Sequence, residues 1–201
     1  MPIPMAGADG RTAAEPVSAT AFRTLMAAFP AGVAVVTAAD DSGRQHGMTC
    51  TAVSSVSVSP PTLLVCMQRS SRTLAVLNRT GSFAVNLLGD QARPVAELFA
   101  GRCPDRFEHV SWTARPGCAG PHLDQDAHSI ADCRVTGSVA VADHVVVLGE
   151  VFRVTTDQDA RPRPLVYGMR EYWSFGHPGA APERCALTTA APSDSDTEAS
   201  R

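Results

Sequence analysis

From Gly47 to Gln68 the chain reads GMTCTAVSSVSVSPPTLLVCMQ, without one Asp, Glu, Lys or Arg. A half-exposed strand normally carries polar or charged residues on its water face. Small side chains here let a ligand approach the backbone closely, and Thr49, Thr51, Ser54 and Ser55 set hydroxyls beside backbone N–H groups. That combination suits a flat, uncharged heteroaromatic ring. It equally suits a buried, serine-tolerant pair of strands. The run ends in Gln68-Arg69-Ser70-Ser71-Arg72-Thr73. Between a strand and a helix start, such a segment converges free N–H groups, a helix dipole, hydroxyls and two guanidiniums on one anion-sized volume. An ordinary Ser-capped surface helix would read the same way.

A third cluster, His122, Asp124, Asp126 and His128, holds four metal-ligating types within seven residues. Its spacing matches neither a helical i, i+4 pair nor a Ca²⁺ loop with its Gly and distal Glu, so no metal is expected. His109 and His177 have no evident partner and read as solvent-exposed. The six cysteines form no C-x-x-C pair, which argues against a zinc knuckle or a dithiol redox motif and for free thiols.

These groups must be positioned by a chain of 201 residues, enough for one domain with a real core. Its net charge is −3 and every basic residue is arginine, which gives a nucleic-acid role little electrostatic support. There is no basic-then-apolar leader and no run long enough to span a membrane, so a cytoplasmic protein is expected. Residues 1–18 and 177–201, rich in Ala, Pro and Gly or in small polar residues, read as a flexible leader and tail around a domain at 19–176.

Within that domain Phe22, Leu25, Met26 and Phe29 recur at helical spacing up to Pro30. A strand over Gly32–Ala38 follows, then a turn at Asp40–Gly43 into the Gly47 strand. Pro60-Pro61 reads as a connection before a strand over Leu63–Met67. Ser70 or Ser71 can cap a helix over Thr73–Asn78, and Asp90 is a candidate cap for a second helix through Phe99. Between them lies a strand at Phe83–Leu88, and after Gly101 a loop runs to Asp126. Two long strands, from Ile130 to Val141 and from His144 to Val154, turn at Ala142-Asp143. Six or seven strands with two or three helices, mostly linked by hairpins, argue for an antiparallel barrel with peripheral helices.

Six segments in order, FPAGVAVVTA from Phe29, GMTCTAVSS from Gly47, CMQRSSRT from Cys66, DRFEHVSW from Asp105, ADHVVVLGEV from Ala142 and PLVYGMREY from Pro164, resemble the flavin reductase-like family. The resemblance covers roughly Phe22 to Tyr172. It implies a mainly β fold, the antiparallel split β-barrel, that binds FMN or FAD and takes hydride from NADH or NADPH. Reduced flavin would then pass to a partner flavin-dependent monooxygenase. By the same resemblance the flavin ring lies along Gly47, Met48, Thr49, Cys50, Thr51, Ala52, Ser54 and Ser55, near Cys66, Met67 and Gln68. Its phosphate meets Ser71, Arg72 and Thr73, its distal part Leu98 and Phe99, and a homodimer is expected. His144 matches a family histidine beside the nucleotide.

Catalysis in that reading needs positioning rather than a nucleophile or an acid–base dyad. The chain departs from the family after Tyr167, where a His or Arg is usual and Gly168 stands, so Arg170 is the candidate for the anion contact there. Two other readings share the fold: an oxidoreductase that retains its flavin, and a binding module without turnover, which the Gly168 departure would favour.

Overall fold

The computed structural model describes residues 15–156, 162–175 and 182–185. Most of the expected leader and tail, and His177, lie outside the described residues. Two antiparallel sheets organise the rest. The larger has seven strands: β2 (Ala34–Ala39), β3 (Gln45–Cys50), β4 (Val53–Val58), β5 (Pro61–Gln68), β6 (Ser82–Leu88), β7 (Ala127–Val141) and β8 (His144–Thr156). Their order across the sheet is β3-β2-β6-β7-β8-β5-β4. The sheet curls until the end of β3 meets β5, where the Cys66 N–H donates to the Ala52 carbonyl at 3.0 Å. A smaller sheet joins β1 (Ala31–Gly32), β9 (Leu165–Gly168), β10 (Glu171–Ser174) and β11 (Glu183–Arg184). Residues 183 and 184, past the expected start of the tail, thus pair with the domain.

Period-2 alternation on β2 explains the layering. Ala34 and Val36 face the inside of the curled sheet with Val65, Met67, Phe83, Val85, Cys133 and Val147. Val33 and Val35 face the other way, toward Leu88, Phe99, Leu123 and Leu165. Both faces are therefore dry, and the strand reads as a nearly continuous apolar run. Helix α2 (Arg72–Thr80) adds Leu74 and Leu77 to the first core. Helix α3 (Arg93–Ala100) adds Val95, Ala96 and Phe99 to the second.

Two expected elements differ. Asp90 does not cap α3: its carboxylate is buried and pairs with Arg163 at 2.7 Å. The helix instead starts at Arg93 with a proline in its first turn, whose missing N–H lowers the need for a cap. Pro61 is the first residue of β5, opposite Val58, rather than part of a connection. Helix α1 (Ala19–Ala27) forms with Ser18 as its cap, but its apolar face buries nothing: Phe22 and Leu25 are 56% and 66% exposed, and Phe29, expected on the same face, lies past the helix end.

The segment from Pro116 to Leu123 lies across β2 and β6. Thr37 Oγ1 donates to the Pro121 carbonyl at 2.6 Å, Asn86 Nδ2 donates to the same oxygen at 3.3 Å, and the Leu123 N–H donates to Asn86 Oδ1 at 2.9 Å. Gly120 sits so close that a Cβ there would lie 2.5 Å from the Thr37 carbonyl oxygen. Gly120→Ala is expected to cost about 1–3 kcal/mol through this overlap with backbone. Urea unfolding checks it, and an unchanged midpoint would mean that the loop lifts freely from the sheet.

Candidate active site

A cleft of about 830 Å³ opens where β3, the start of α2 and the end of α3 meet. The Asp40–Gly43 turn builds one rim. Asp40 Oδ1 accepts from Ser42 Oγ at 2.6 Å and from the Arg44 N–H at 3.0 Å, and Oδ2 faces His46 Nε2 at 3.0 Å. The Ser42 hydroxyl and then His46 hold this carboxyl well below the usual carboxylate range. Arg44 and His46 are thereby set at the mouth.

The second wall is the start of α2. Ser71 is the helix cap, its Oγ accepting from the Leu74 N–H at 3.3 Å. Ser70, Arg72 and Thr73 line the cleft beside it. The third wall comes from α3 and the following loop through Phe99, Arg102 and Phe107. Gly47 makes the cleft's floor close-fitting: a Cβ would lie 2.7 Å from the Phe99 ring and 3.1 Å from that of Phe107. Those rings meet edge to face at 5.1 Å.

Arg106, inside the Asp105 motif, organises this wall. Its guanidinium donates to the carbonyls of Gly47 (2.9 Å), Phe99 (3.0 Å), Gly101 (3.0 Å) and Cys103 (3.0 Å). One side chain thus ties β3 to α3 and to the loop. Arg44, Arg72, Arg102 and Arg106 all line the cleft, no Asp or Glu does, and the first three enter no ion pair among the described residues. A net-negative chain has gathered four cations around one opening.

A second cleft, about 450 Å³, adjoins the first and shares Thr49 and Ala100 with it. It holds Thr51, Arg93, Glu97, Tyr167, Arg170, Glu171 and Tyr172. Arg93 is tied to Glu97 at 2.9 Å and lies 5.5 Å over the Tyr172 ring, which leaves Arg170 as the less engaged cation. Burial, then the Glu97 charge, pushes the Tyr172 phenol up, so it stays neutral. Gly168 does not line this cleft. A Cβ there would lie 3.0 Å from Pro30, which explains why no His or Arg stands at that position.

Of the residues expected at the site, Gly47, Met48, Thr49, Gln68, Ser71, Arg72, Thr73 and Phe99 come together in the larger cleft. Thr49, Thr51 and Arg170 meet in the smaller. The Cys50 and Met67 side chains belong to the inner core, where only their backbone could serve a ligand. Leu98 packs on the outer core. Ala52, Ser54 and Ser55 are exposed, and Cys66 is part-buried on β5, all outside both clefts. His144 pairs in register with Gln68 at the cleft edge and turns its Nδ1 to Asp143 at 2.9 Å. Arg44, His46, Arg102, Arg106 and Phe107 were not anticipated. Arg106 and Phe107 were the readable ones, since both lie in a segment that carried the family resemblance.

The side chains of the His122–His128 cluster diverge. His122 faces Asp132 at 2.9 Å, Asp124 accepts from Thr113 at 2.6 Å, and His128 meets Ser129 at 3.1 Å.

The larger cleft's arginines and aromatic rings beside a helix start make a lining that suits a planar, phosphorylated ligand. The chain belongs to the flavin reductase like domain family, which matches residues 26–176. A flavin reductase (NADPH) of Lentzea aerocolonigenes is 49% identical over 78% of this chain and 89% of its own length. Streptomyces globisporus NADH:FAD oxidoreductase SgcE6, solved in complex with NAD and FAD fragments, superposes with a TM-score of 0.75 at 26% identity, covering 83% of this chain and all of its own. Nitrilotriacetate monooxygenase component B from Mycobacterium thermoresistibile gives 0.74 at 29% identity, over 86% of this chain and 94% of its own.

Arg106→Gln should strand several carbonyls and loosen the wall between β3 and α3. The expected loss is about 2–3 kcal/mol of stability, as for a multiply used charged donor. Chemical denaturation measures it, and an unchanged midpoint would remove Arg106 from this role.

Proposed function

We propose that the arginine-lined cleft binds the phosphorylated end of FMN or FAD, and that the adjoining cleft receives NADH or NADPH. The chain is a flavin reductase, an NAD(P)H-dependent flavin oxidoreductase. What carries the placement is the gathering of Arg44, Arg72 and Arg102 around the start of α2, with no carboxylate lining the cleft. The cleft volume falls in the roughly 300–1,000 Å³ range of cofactor sites. The Phe99 and Phe107 rings occupy the space a side chain at Gly47 would take, which brings that aromatic wall against the cleft floor.

When bound, the nicotinamide supplies a hydride that the flavin accepts. The chain's own residues then have positional tasks. The first N–H groups of α2, whose start Ser71 caps, present donors to a phosphate, and Arg72 adds a charge-assisted bond. Gly47 and Thr49 bring the floor of one cleft against the wall of the next, with Thr49 Oγ1 held by the Ala96 carbonyl at 2.6 Å. Arg170, with the Tyr167–Tyr172 pair at 5.0 Å, offers a cation and apolar faces to the second nucleotide.

Reduced flavin would leave for a partner monooxygenase; one relative, 33% identical, is named the reductase subunit of a flavin-dependent monooxygenase. The chain also presents surfaces suited to a second copy of itself. Phe22, Leu25 and Met26 on α1, Phe29 just past its end, and Val56 and Val58 on the uncharged β4, are exposed. A homodimer would cover such apolar area.

NAD(P)H oxidation should require added FMN or FAD, and Arg72→Ala should raise the flavin Kd about 10-fold, the low end for a charge-assisted bond at an exposed site. Lumiflavin, which lacks the phosphate, should bind the variant and the parent alike. Equal FMN affinity in both proteins would place the anion site elsewhere. Leu25→Glu with Phe29→Glu should convert a dimer to a monomer in sedimentation velocity; a parent protein that sediments as a monomer would overturn the dimer.

A further inference from the structure

Cys118 sits in the loop that Thr37 and Asn86 fasten to the sheet, away from both clefts. Its Sγ lies 3.8 Å from His122 Nδ1, and His122 Nε2 lies 2.9 Å from Asp132 Oδ1. Thiol, imidazole and carboxylate ligand atoms all fall within 4.8 Å of one another. His122 and Asp132 are 1% and 0% exposed, whereas Cys118 is only part-buried. Asp132 Oδ1 also accepts from the Ala119 N–H at 2.7 Å. An ionised Asp132 can only accept, so the ring hydrogen sits on Nε2 and Nδ1 offers its lone pair to the thiol. This is the order nucleophile, base, orienting carboxylate.

Two further contacts mark the site as built. Arg153 Nη1 donates to Cys118 Sγ at 3.5 Å and stands 4.0 Å from Asp132 Oδ2. That buried oxygen has no hydrogen-bond partner among the described residues, so it faces the guanidinium and thiol with its capacity unused. Gly117, at φ +79°, makes room for Arg153: a Cβ would lie 2.8 Å from Nη2. Any side chain at that position would push the cation off the sulfur.

We propose that Cys118, His122, Asp132 and Arg153 form an activated thiol site that reduces hydrogen peroxide. His122 Nδ1 takes the thiol proton and Arg153 stabilises the thiolate. The sulfur attacks one peroxide oxygen, the O–O bond breaks, and the departing hydroxide takes the proton from His122 as water. Cys118 is oxidised by two electrons to a sulfenic acid and peroxide is reduced to water. The biological source rests on the flavin reductase activity, because reduced flavin that meets O₂ before a monooxygenase yields hydrogen peroxide.

The test treats the full chain with hydrogen peroxide, without flavin or nicotinamide, traps sulfenic acid with a dimedone probe and reads each cysteine by peptide mass spectrometry. Its outcome is thus independent of where flavin binds. Cys118 should be labelled at least 10-fold faster than part-buried Cys103. Asp132→Asn keeps the Oδ1 that serves both the Ala119 N–H and Nε2, but removes the carboxylate charge behind the imidazole and sets an amide donor where Oδ2 faced Arg153; with the base weakened and the guanidinium repelled, labelling should fall to the Cys103 rate. Buried Cys50 and Cys133 report folding, since they label only if the variant opens. Should they label, Arg153→Gln, on a half-exposed side chain, takes over as the deciding variant and should slow Cys118 at least 3-fold. A parent Cys118 no faster than Cys103, or full-rate labelling in the folded variant, overturns the proposal.

Discussion

Strands β2 and β6 are buried on both faces, and this constraint organises the molecule. Thr37, Phe83, Ala84, Val85 and Asn86 all have no exposure. Water cannot satisfy the polar members, so partners must come from the chain. Asn86 uses its amide fully: Nδ2 reaches the Val35 carbonyl at 3.1 Å and Thr37 Oγ1 at 3.1 Å, while Oδ1 accepts from Leu123. The loop over these strands is therefore part of the core's hydrogen-bond account, and Gly120 follows from how closely it must pass.

The opposite edge of the sheet obeys another rule. There β3 ends the sheet order, and helices α2 and α3 flank it without covering it. The opening is kept by Arg106, which spends its donors on carbonyls of the wall, leaving the other three arginines for solvent or an anion. Burial also sorts the cysteines. It pushes the Cys133 thiol up to about 12, with the Asp132 charge adding to it, and raises that of Cys50. Both are inert packing groups at neutral pH.

Much of this was readable from residue order. The hairpin β7–β8 turns at Ala142-Asp143, which stands between two long alternating runs, and Ser71 caps α2 as a hydroxyl before a helical stretch should. Local rules sufficed because the partners are near in sequence. Asp90 misled because a carboxylate before a helix looks like a cap, while its actual partner, Arg163, is distant. Cys50 and Met67 were assigned to a ligand face that period-2 alternation turned inward. Arg44, Arg102 and Arg106 join one cleft only after β3, α2 and α3 pack together, a three-body arrangement without a spacing signature. The same holds for Cys118, His122 and Asp132, where the metal-like spacing of His122 to His128 drew attention to the wrong neighbours.

The gathering of arginines at one opening bears on traffic rather than on chemistry. Exposed cations act over roughly one Debye length, about 8 Å at physiological ionic strength. They speed the approach of an anionic cofactor and orient it, more than they hold it once seated. A carrier that must load and unload its cargo gains from that division: capture is quick, and release is not held back by a buried ion pair. Ionic strength then becomes a throttle on exchange, separate from the intrinsic rate of electron transfer.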